Sequence, residues 1–541
     1  MPQAAALRYA IAATGILLGV AGVAATLAGF GYPLNIYDEG LILTNANLIL
    51  SGAAPVRDFY SNYPPGIFLI LAGLWKLLGV SVGLARALGF VIHLALAALA
   101  GRVAGRIAGR RFSPLASGLV LLWISPLGVI PYAWMAALAV ALAGIEMALI
   151  AREHREPWAL ALYGFSLGAL SGLRHDLFIY CGLVLAAMAA GWKILRRPTP
   201  ASVLGARTGW ALLGFTIPVA LIWGPTIARA GFALVARDLY FDQVRYVLPA
   251  RTLPLPSLLA LVRPEAWPLP LPAVLADWYP GAAALALLGP LLLVAGLVRS
   301  GPWGIRDRTA LLLTGALTLA VLPQMLGRSD QEHCIYTVAP GLTIAAALIE
   351  AAARRPRPTW GRTCAMLVAV LVLWLPVRGL VPSFADLGAL SLPSLGGRLA
   401  GLPATDLVSR REILAVLAKN TRPGEGIFVG NEQHRQVSWN DVSLYYLADR
   451  PGVTRYLQFD PNIVTRADVQ RQMARDIERM QVRIAVLYQG GYRPERNQSA
   501  LPGSDLLDRY LRSHYEVVAE SGPYAILSRS TSAQPRIMAV P

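Results

Sequence analysis

The chain reads as a polytopic α-helical membrane protein that ends in a polar α/β domain, and three observations carry that reading. Of its 541 residues, 55% are hydrophobic and only 15% are charged, whereas a soluble globular domain carries about 25% charged residues. Apolar runs recur along the first two thirds of the chain, each near the ~20 residues needed to cross a ~30 Å hydrocarbon core. From about residue 400 the pattern changes to short apolar strands alternating with amphipathic helices. The net charge of +17 therefore points to Lys and Arg gathered in cytoplasmic loops before it points to nucleic acid.

About eleven spans are expected, near 8–30, 83–101, 113–131, 134–151, 158–173, 176–192, 207–228, 281–299, 308–326, 334–351 and 361–381. The first run lacks a small-residue cleavage site and reads as a span, not a signal peptide. Basic clusters follow the even-numbered spans: Arg102, Arg106, Arg110 and Arg111, then Arg152 and Arg155, Lys193, Arg196 and Arg197, Arg299, Arg306 and Arg308, and Arg354, Arg355 and Arg357. The positive-inside rule makes those loops and the N-terminus cytoplasmic. The odd-numbered loops are then external, and an odd number of spans places the C-terminal segment outside as well. Cys181, Cys334 and Cys364 lie in or beside apolar runs, far apart, and suit neither a disulfide framework nor a zinc site.

The transmembrane domain is expected over 1–382, with its first external loop at 31–82, and the extracytoplasmic domain over 383–541. Two segments of that loop need not cross the bilayer. Gly40 to Ser51 suits a short interfacial helix with Asp38 near its positive N-terminal end. Ile67 to Leu78 would span only ~18 Å as a helix and is expected to be interfacial or re-entrant. In the C-terminal segment, 442–452, 469–480 and 505–515 read as helices, 483–491 as a buried strand and 515–529 as a β-hairpin. No Gly-rich phosphate fingerprint stands at a strand–helix junction. The tail from Ser530 reads as disordered, and Asn497-Gln-Ser fits a glycosylation triplet that is frequent by chance.

Charged groups near a bilayer are costly unless paired or hydrated, so such clusters are functional candidates. Asp38 and Glu39 are carboxylates suited to general-base work, or simply to capping a helix. Arg174, His175 and Asp176 interrupt an apolar stretch. They suit phosphate binding through the arginine fork, or a turn in which Arg174 pairs locally with Asp176. Arg328, Asp330, Glu332 and His333 form a similar island. His175, Asp176, Asp330 and His333 are also of the type that ligates divalent ions, but their spacing is not specific. Arg237, Arg245 and Arg251, interleaved with Tyr240 and Tyr246, suit an anionic head group or a snorkelling rim.

The order of features in the first 86 residues resembles the GT-C glycosyltransferases, among them the protein O-mannosyltransferases, lipid A aminoarabinose transferases and mycobacterial arabinofuranosyltransferases. A first span leads to Tyr37-Asp38-Glu39-Gly40, then Gly52 to Phe59 with Arg57-Asp58, then Tyr63-Pro64-Pro65-Gly66, Leu78-Gly79 and Ala85-Arg86. Ser171 to Asp176 is similar to the later motif in which a basic residue meets a lipid phosphate. The resemblance implies a sugar taken from a polyprenyl-phosphate carrier at the external face of the bacterial inner membrane. The acceptor would be a protein, a lipid or a polysaccharide. It implies Asp38 as base with Glu39 as neighbour or substitute, and Arg174 as the phosphate contact. Tyr63 replaces the Lys of some relatives, so Arg57, Arg174 or Arg328 would share the phosphate. No nucleotide, metal or other cofactor is required. Two rivals remain at this level, a transporter or flippase of lipid-linked glycans and a non-catalytic scaffold. Charges gathered at one face, and no evident inverted repeat, weigh against transport.

Overall fold

The computed structural model describes residues 2–195, 201–251, 305–328, 331–353, 397–436, 438–460, 462–490 and 503–530. The chain divides into two compact units. One comprises Met1–Tyr32, Arg86–Trp223 and Leu253–Pro393; the other comprises Pro33–Ala85, Gly224–Thr252 and Ser394–Pro541.

Among the described residues, five helices are long and apolar enough to cross a bilayer: Ala6–Gly31, Val82–Ala108, Ala133–His154, Thr208–Ala230 and Arg308–Gly327. Shorter apolar helices follow the other expected spans at Pro114–Leu127, Pro157–Leu173, His175–Ala186 and Ala339–Ala351. The expected spans at 281–299 and 361–381, like Cys364, Asn497 and the tail beyond Ser530, lie outside the described residues. In the first unit, small residues let helices approach closely, as lipid-embedded packing requires. A Cβ on Gly164 would fall 1.8 Å from the Ala211 carbonyl oxygen, and one on Gly214 would fall 1.8 Å from that of Ala161.

Ion pairs in this unit join the loops that charge counting groups together. After the second expected span, Arg102 and Arg106 reach Glu146 at 2.6 and 2.7 Å, and Arg106 reaches Glu153 at 2.8 Å. Arg152 pairs with Asp307 at 2.7 Å, and the Arg306 amide donates to the Ile107 carbonyl at 3.0 Å. Ser113 Oγ donates to Glu350 at 2.7 Å. Loops after the second, fourth and eighth spans, and the end of the tenth, thus meet on one face. The odd-numbered loops meet likewise: Arg174 lies over the Trp134 ring at 4.3 Å, and Trp134 stacks on Tyr336 at 5.1 Å.

The second unit is built around a four-stranded sheet: β1 Phe428–Asn431, β2 Ile484–Tyr488, β3 Tyr515–Ser521 and β4 Tyr524–Arg529. The order is β1-β2-β4-β3, with β1 and β2 parallel and the other pairs antiparallel. Alternate residues serve opposite faces, as strand geometry dictates. Phe428, Ala485, Ala525 and Leu527 pack with Val469, Met473 and Ile477 of the Ala467–Arg479 helix, and with Leu507 and Leu511 of the Leu506–His514 helix. Val429, Ile484, Val486 and Ile526 pack with Ile413 and Leu417 of the Ala404–Asn420 helix and with Leu444.

Residues from the first loop complete both cores: Tyr37 and Phe59 join one, Tyr60 the other. The loop and the C-terminal segment therefore belong to one packed unit. The expected interfacial helix forms over Asp38–Leu50, but its polar side meets protein. Thr44 Oγ1 donates to the Val442 carbonyl at 2.9 Å, and Asn47 Oδ1 accepts from Arg398 at 3.1 Å. The second short helix forms over Gly66–Leu78, burying Phe68, Leu71 and Trp75, with Trp75 stacked on Tyr446 at 5.3 Å.

Phe59 is fully buried, so Phe59→Ala is expected to destabilise this unit by about 3–5 kcal/mol. Limited proteolysis should then cut the distant 404–529 region much faster than in the parent, and equal rates would contradict a shared core. Buried phenols set an alkaline limit. Burial raises the Tyr445, Tyr446, Tyr510 and Tyr524 hydroxyls above the usual tyrosine value, and pushes Tyr515 up to about 12. The unfolded chain loses these protons first, so their contribution is whole below about pH 10 and is lost as pH rises from there through the folded values. Thermal unfolding followed by circular dichroism should show a midpoint nearly constant below about pH 9 and falling steeply above about pH 10.

Candidate functional site

The Asp38 carboxylate stands at the first position of the Asp38–Leu50 helix, where the helix dipole favours negative charge. Asn35 organises this terminus. Its Oδ1 accepts the amide N–H of Tyr37 at 3.0 Å and of Asp38 at 2.8 Å, and its Nδ2 reaches Asp38 Oδ2 at 3.5 Å. Two amide donors on Oδ1 fix which end of the Asn35 side chain is which. Asp38 is half-buried, whereas Glu39 is 1% exposed and its Oε2 accepts the Asn35 amide at 3.4 Å. The adjacent acids thus occupy different environments, and Asp38 is the more exposed of the two.

Three acids of the C-terminal segment, none visible as site residues in the sequence, hold the approach to Asp38. Asp406 Oδ2 accepts the Leu34 amide at 2.7 Å. Buried Asp460 accepts the Tyr37 hydroxyl at 3.1 Å, Asn62 Nδ2 at 3.2 Å and Gln458 Nε2 at 2.6 Å. Asp441 fixes Ser443, whose amide donates to the Ile36 carbonyl at 3.3 Å. Tyr37 also meets Trp439 edge-on at 4.3 Å. Sequence separations near 400 residues hide these partners, and the polar runs around Asp441 and Asp460 were their only signal.

Arg57 and Asp58 form a bidentate pair at 2.7 and 2.8 Å, with Arg57 50% exposed. Asp58 Oδ2 also accepts the Ala54 amide at 2.7 Å, and Arg57 holds its carboxyl below the usual range. These contacts give Asp58 a turn-forming role. Tyr63 is half-buried, its amide donating to Ser61 Oγ at 3.1 Å. Nearby, buried Asp238 pairs with Arg455 and with Arg237, and Arg466 lies 4.2 Å from the Tyr246 ring. Arg237 and Tyr246 therefore belong to a protein-bound rim.

In the first unit, Arg174 is buried and donates twice to Asp176, at 2.9 and 2.5 Å, while its guanidinium covers Trp134. The local pairing weighed from the sequence is therefore present. Tyr336, stacked on Trp134, lies 5.6 Å from the His333 ring. Arg174, Asp176 and His333 are thus joined through two aromatic rings. His175 is half-buried, Arg328 is buried, and Asp330 lies outside the described residues. No three His, Cys, Asp or Glu side chains converge as metal ligands among the described residues.

The sequence matches no protein-family model and no curated protein. The structure is similar to the crystal structure of ArnT from Cupriavidus metallidurans bound to undecaprenyl phosphate, at TM-score 0.58 and 15% identity, covering 97% of this chain and 99% of that one. Against the same protein in the apo state the TM-score is 0.55 at 17% identity, over 97% and 100% of the two chains. A similarity at TM-score 0.47 and 12% identity is to the archaeal oligosaccharyltransferase AglB from Archaeoglobus fulgidus, in complex with an inhibitory peptide and a dolichol-phosphate, over 97% of this chain and 75% of that one. The chain shares the fold of ArnT over nearly its whole length.

Proposed function

We propose that this chain is an integral-membrane glycosyltransferase that takes a sugar from a polyprenyl-phosphate carrier at the external face. The carrying observation is the Asp38 terminus: a half-exposed carboxylate, fixed by Asn35 at a helix N-terminus, beside a buried Glu39. The fold shared with ArnT, whose crystal structure contains undecaprenyl phosphate, supports the carrier. The positive-inside rule supports the external face, since the loops bearing these acids alternate with the basic ones.

Asp38 takes the proton from the acceptor hydroxyl or amine as that atom bonds to the anomeric carbon. The bond from this carbon to the phosphate oxygen breaks, its electron pair leaves with the lipid phosphate, and the sugar inverts. Arg174, Arg328 and His333 are the cationic or donor groups assigned to the departing phosphate, with Asp176 orienting the Arg174 fork. Tyr63 and His175 are assigned to substrate contact, and Arg57 to the outer rim.

The test is transfer from a polyprenyl-phosphate sugar in membranes. Asp38→Asn should lower kcat by about 10²–10⁴-fold with donor KM little changed; undiminished transfer would overturn the assignment. Glu39→Gln should act mainly through stability. Arg174→Ala should raise donor KM by about tenfold or more, the order of one charge-assisted contact, and an unchanged KM would remove Arg174 from phosphate binding.

A further inference from the structure

The second unit holds a polar cavity of about 120 Å³ at the carboxyl ends of the parallel strands β1 and β2. This is the position where open α/β sheets bind ligands. Its wall carries the amides of Asn431, Gln433, Gln436 and Gln489, the Glu432 carboxylate and the Trp439 indole; no Lys or Arg lines it among the described residues.

Asn431 stands in the wall of this cavity. It is 3% exposed, and its Oδ1 has no hydrogen-bond partner. The orientation of its amide is fixed, because Nδ2 donates to the Ser438 carbonyl at 2.9 Å, and a carbonyl can only accept. Its backbone is held as well. Its backbone N–H donates to His434 Nε2 at 3.3 Å, and the other nitrogen of that buried ring meets Asp508 at 2.6 Å. A buried acceptor without a donor costs about 1–3 kcal/mol, a cost the fold bears at the wall of this cavity. Across the cavity, Trp439 remains 36% exposed while its ring touches Tyr37, the residue before Asp38.

We infer that this cavity is the acceptor subsite and that the acceptor is a saccharide, an inference that rests on the transferase reading above. Four amides with one carboxylate offer donors and acceptors in both senses, which suits the hydroxyls of a sugar ring, and the indole offers a flat apolar surface for its C–H face. Among the described lining residues the single charge is the negative one of Glu432, which favours a neutral or amino sugar over a phosphate-bearing ligand. Sharing Trp439 with the wall beside Tyr37 places the bound sugar next to the residue that leads into Asp38.

The experiment uses the full chain in phospholipid nanodiscs, probed with an array of neutral and amino-sugar oligosaccharides and, separately, with undecaprenyl phosphate. Saturable binding of at least one saccharide class is expected. Trp439→Ala and Asn431→Leu should each weaken it at least tenfold while leaving undecaprenyl-phosphate binding within about twofold. Trp439 is an exposed position, so its variant answers the question even if Asn431→Leu misfolds. Asp38→Asn should retain saccharide binding. Undecaprenyl-phosphate binding without any saccharide binding overturns the subsite and leaves the transferase reading standing. Saccharide binding with neither lipid binding nor transfer overturns the transferase reading and with it the acceptor role, leaving a saccharide-binding site; failure of both probes overturns both. Binding of a peptide panel in place of saccharides, abolished by the same variants, also overturns the proposal.

Discussion

The geometry around Asp38 depends on one buried ion pair in the C-terminal segment, Arg410 with Asp441. Arg410 and Asp441, both buried, meet at 2.7 Å, and the Tyr524 hydroxyl donates to the same carboxylate oxygen at 2.6 Å. The other oxygen of Asp441 accepts the Ser443 amide at 3.1 Å and the Ser443 hydroxyl. Ser443 is thereby pinned where the Asp38 helix passes, so close that a Cβ on Gly40 would lie 2.7 Å from its amide nitrogen. Removing one member of such a pair leaves an uncompensated buried charge, a loss of about 3–5 kcal/mol. The disturbance would be felt first at Ser443 and Gly40. A residue without a side chain at position 40, beside the candidate base, is thus a packing requirement set by the C-terminal domain.

That dependence gives the polar third of the chain a mechanical meaning. Asp406, Asp441 and Asp460 hold residues 34, 36, 37 and 62 through the backbone and side-chain contacts described above. A base acts only when its oxygen is held within a few tenths of an ångström of its working position. A short loop leaving a membrane helix has too few contacts of its own to do this. The sheet supplies them, with Tyr37, Phe59 and Tyr60 sunk into its two cores.

The elements legible in the sequence are those whose signal is local. Helix length, alternating strand burial and the charge of successive loops all repeat within a few residues. Hence the membrane helices, β2, the β3–β4 hairpin and the grouping of loops could be read before any coordinates. The contacts across the basic face, such as Arg152 with Asp307, agree with that grouping. The cradle of Asp38 could not be read, because Asp406, Asp441 and Asp460 look like ordinary polar residues of an α/β domain until the chain brings them together. Asp58 misled in the opposite sense. It sits in a motif-like run, yet its carboxylate closes a turn with Ala54 and Arg57.

The choice between Asp38 and Glu39 shows where sequence reasoning ends and geometry begins. The two acids are adjacent, equally charged and equally near the helix start, so no pattern argument separates them. Successive helical residues point about 100° apart, and this rotation sends one outward and the other inward. Glu39 is enclosed, its oxygen turned back to the Asn35 amide at 3.4 Å. A proton acceptor must meet the substrate within hydrogen-bond reach, and a fully buried carboxylate cannot do so unless the helix start unwinds. Asn35 opposes that unwinding by accepting the amides of Tyr37 and Asp38, at the entry to the first turn. The residue whose side chain caps the start at Asp38 is therefore the same one whose backbone amide meets Glu39.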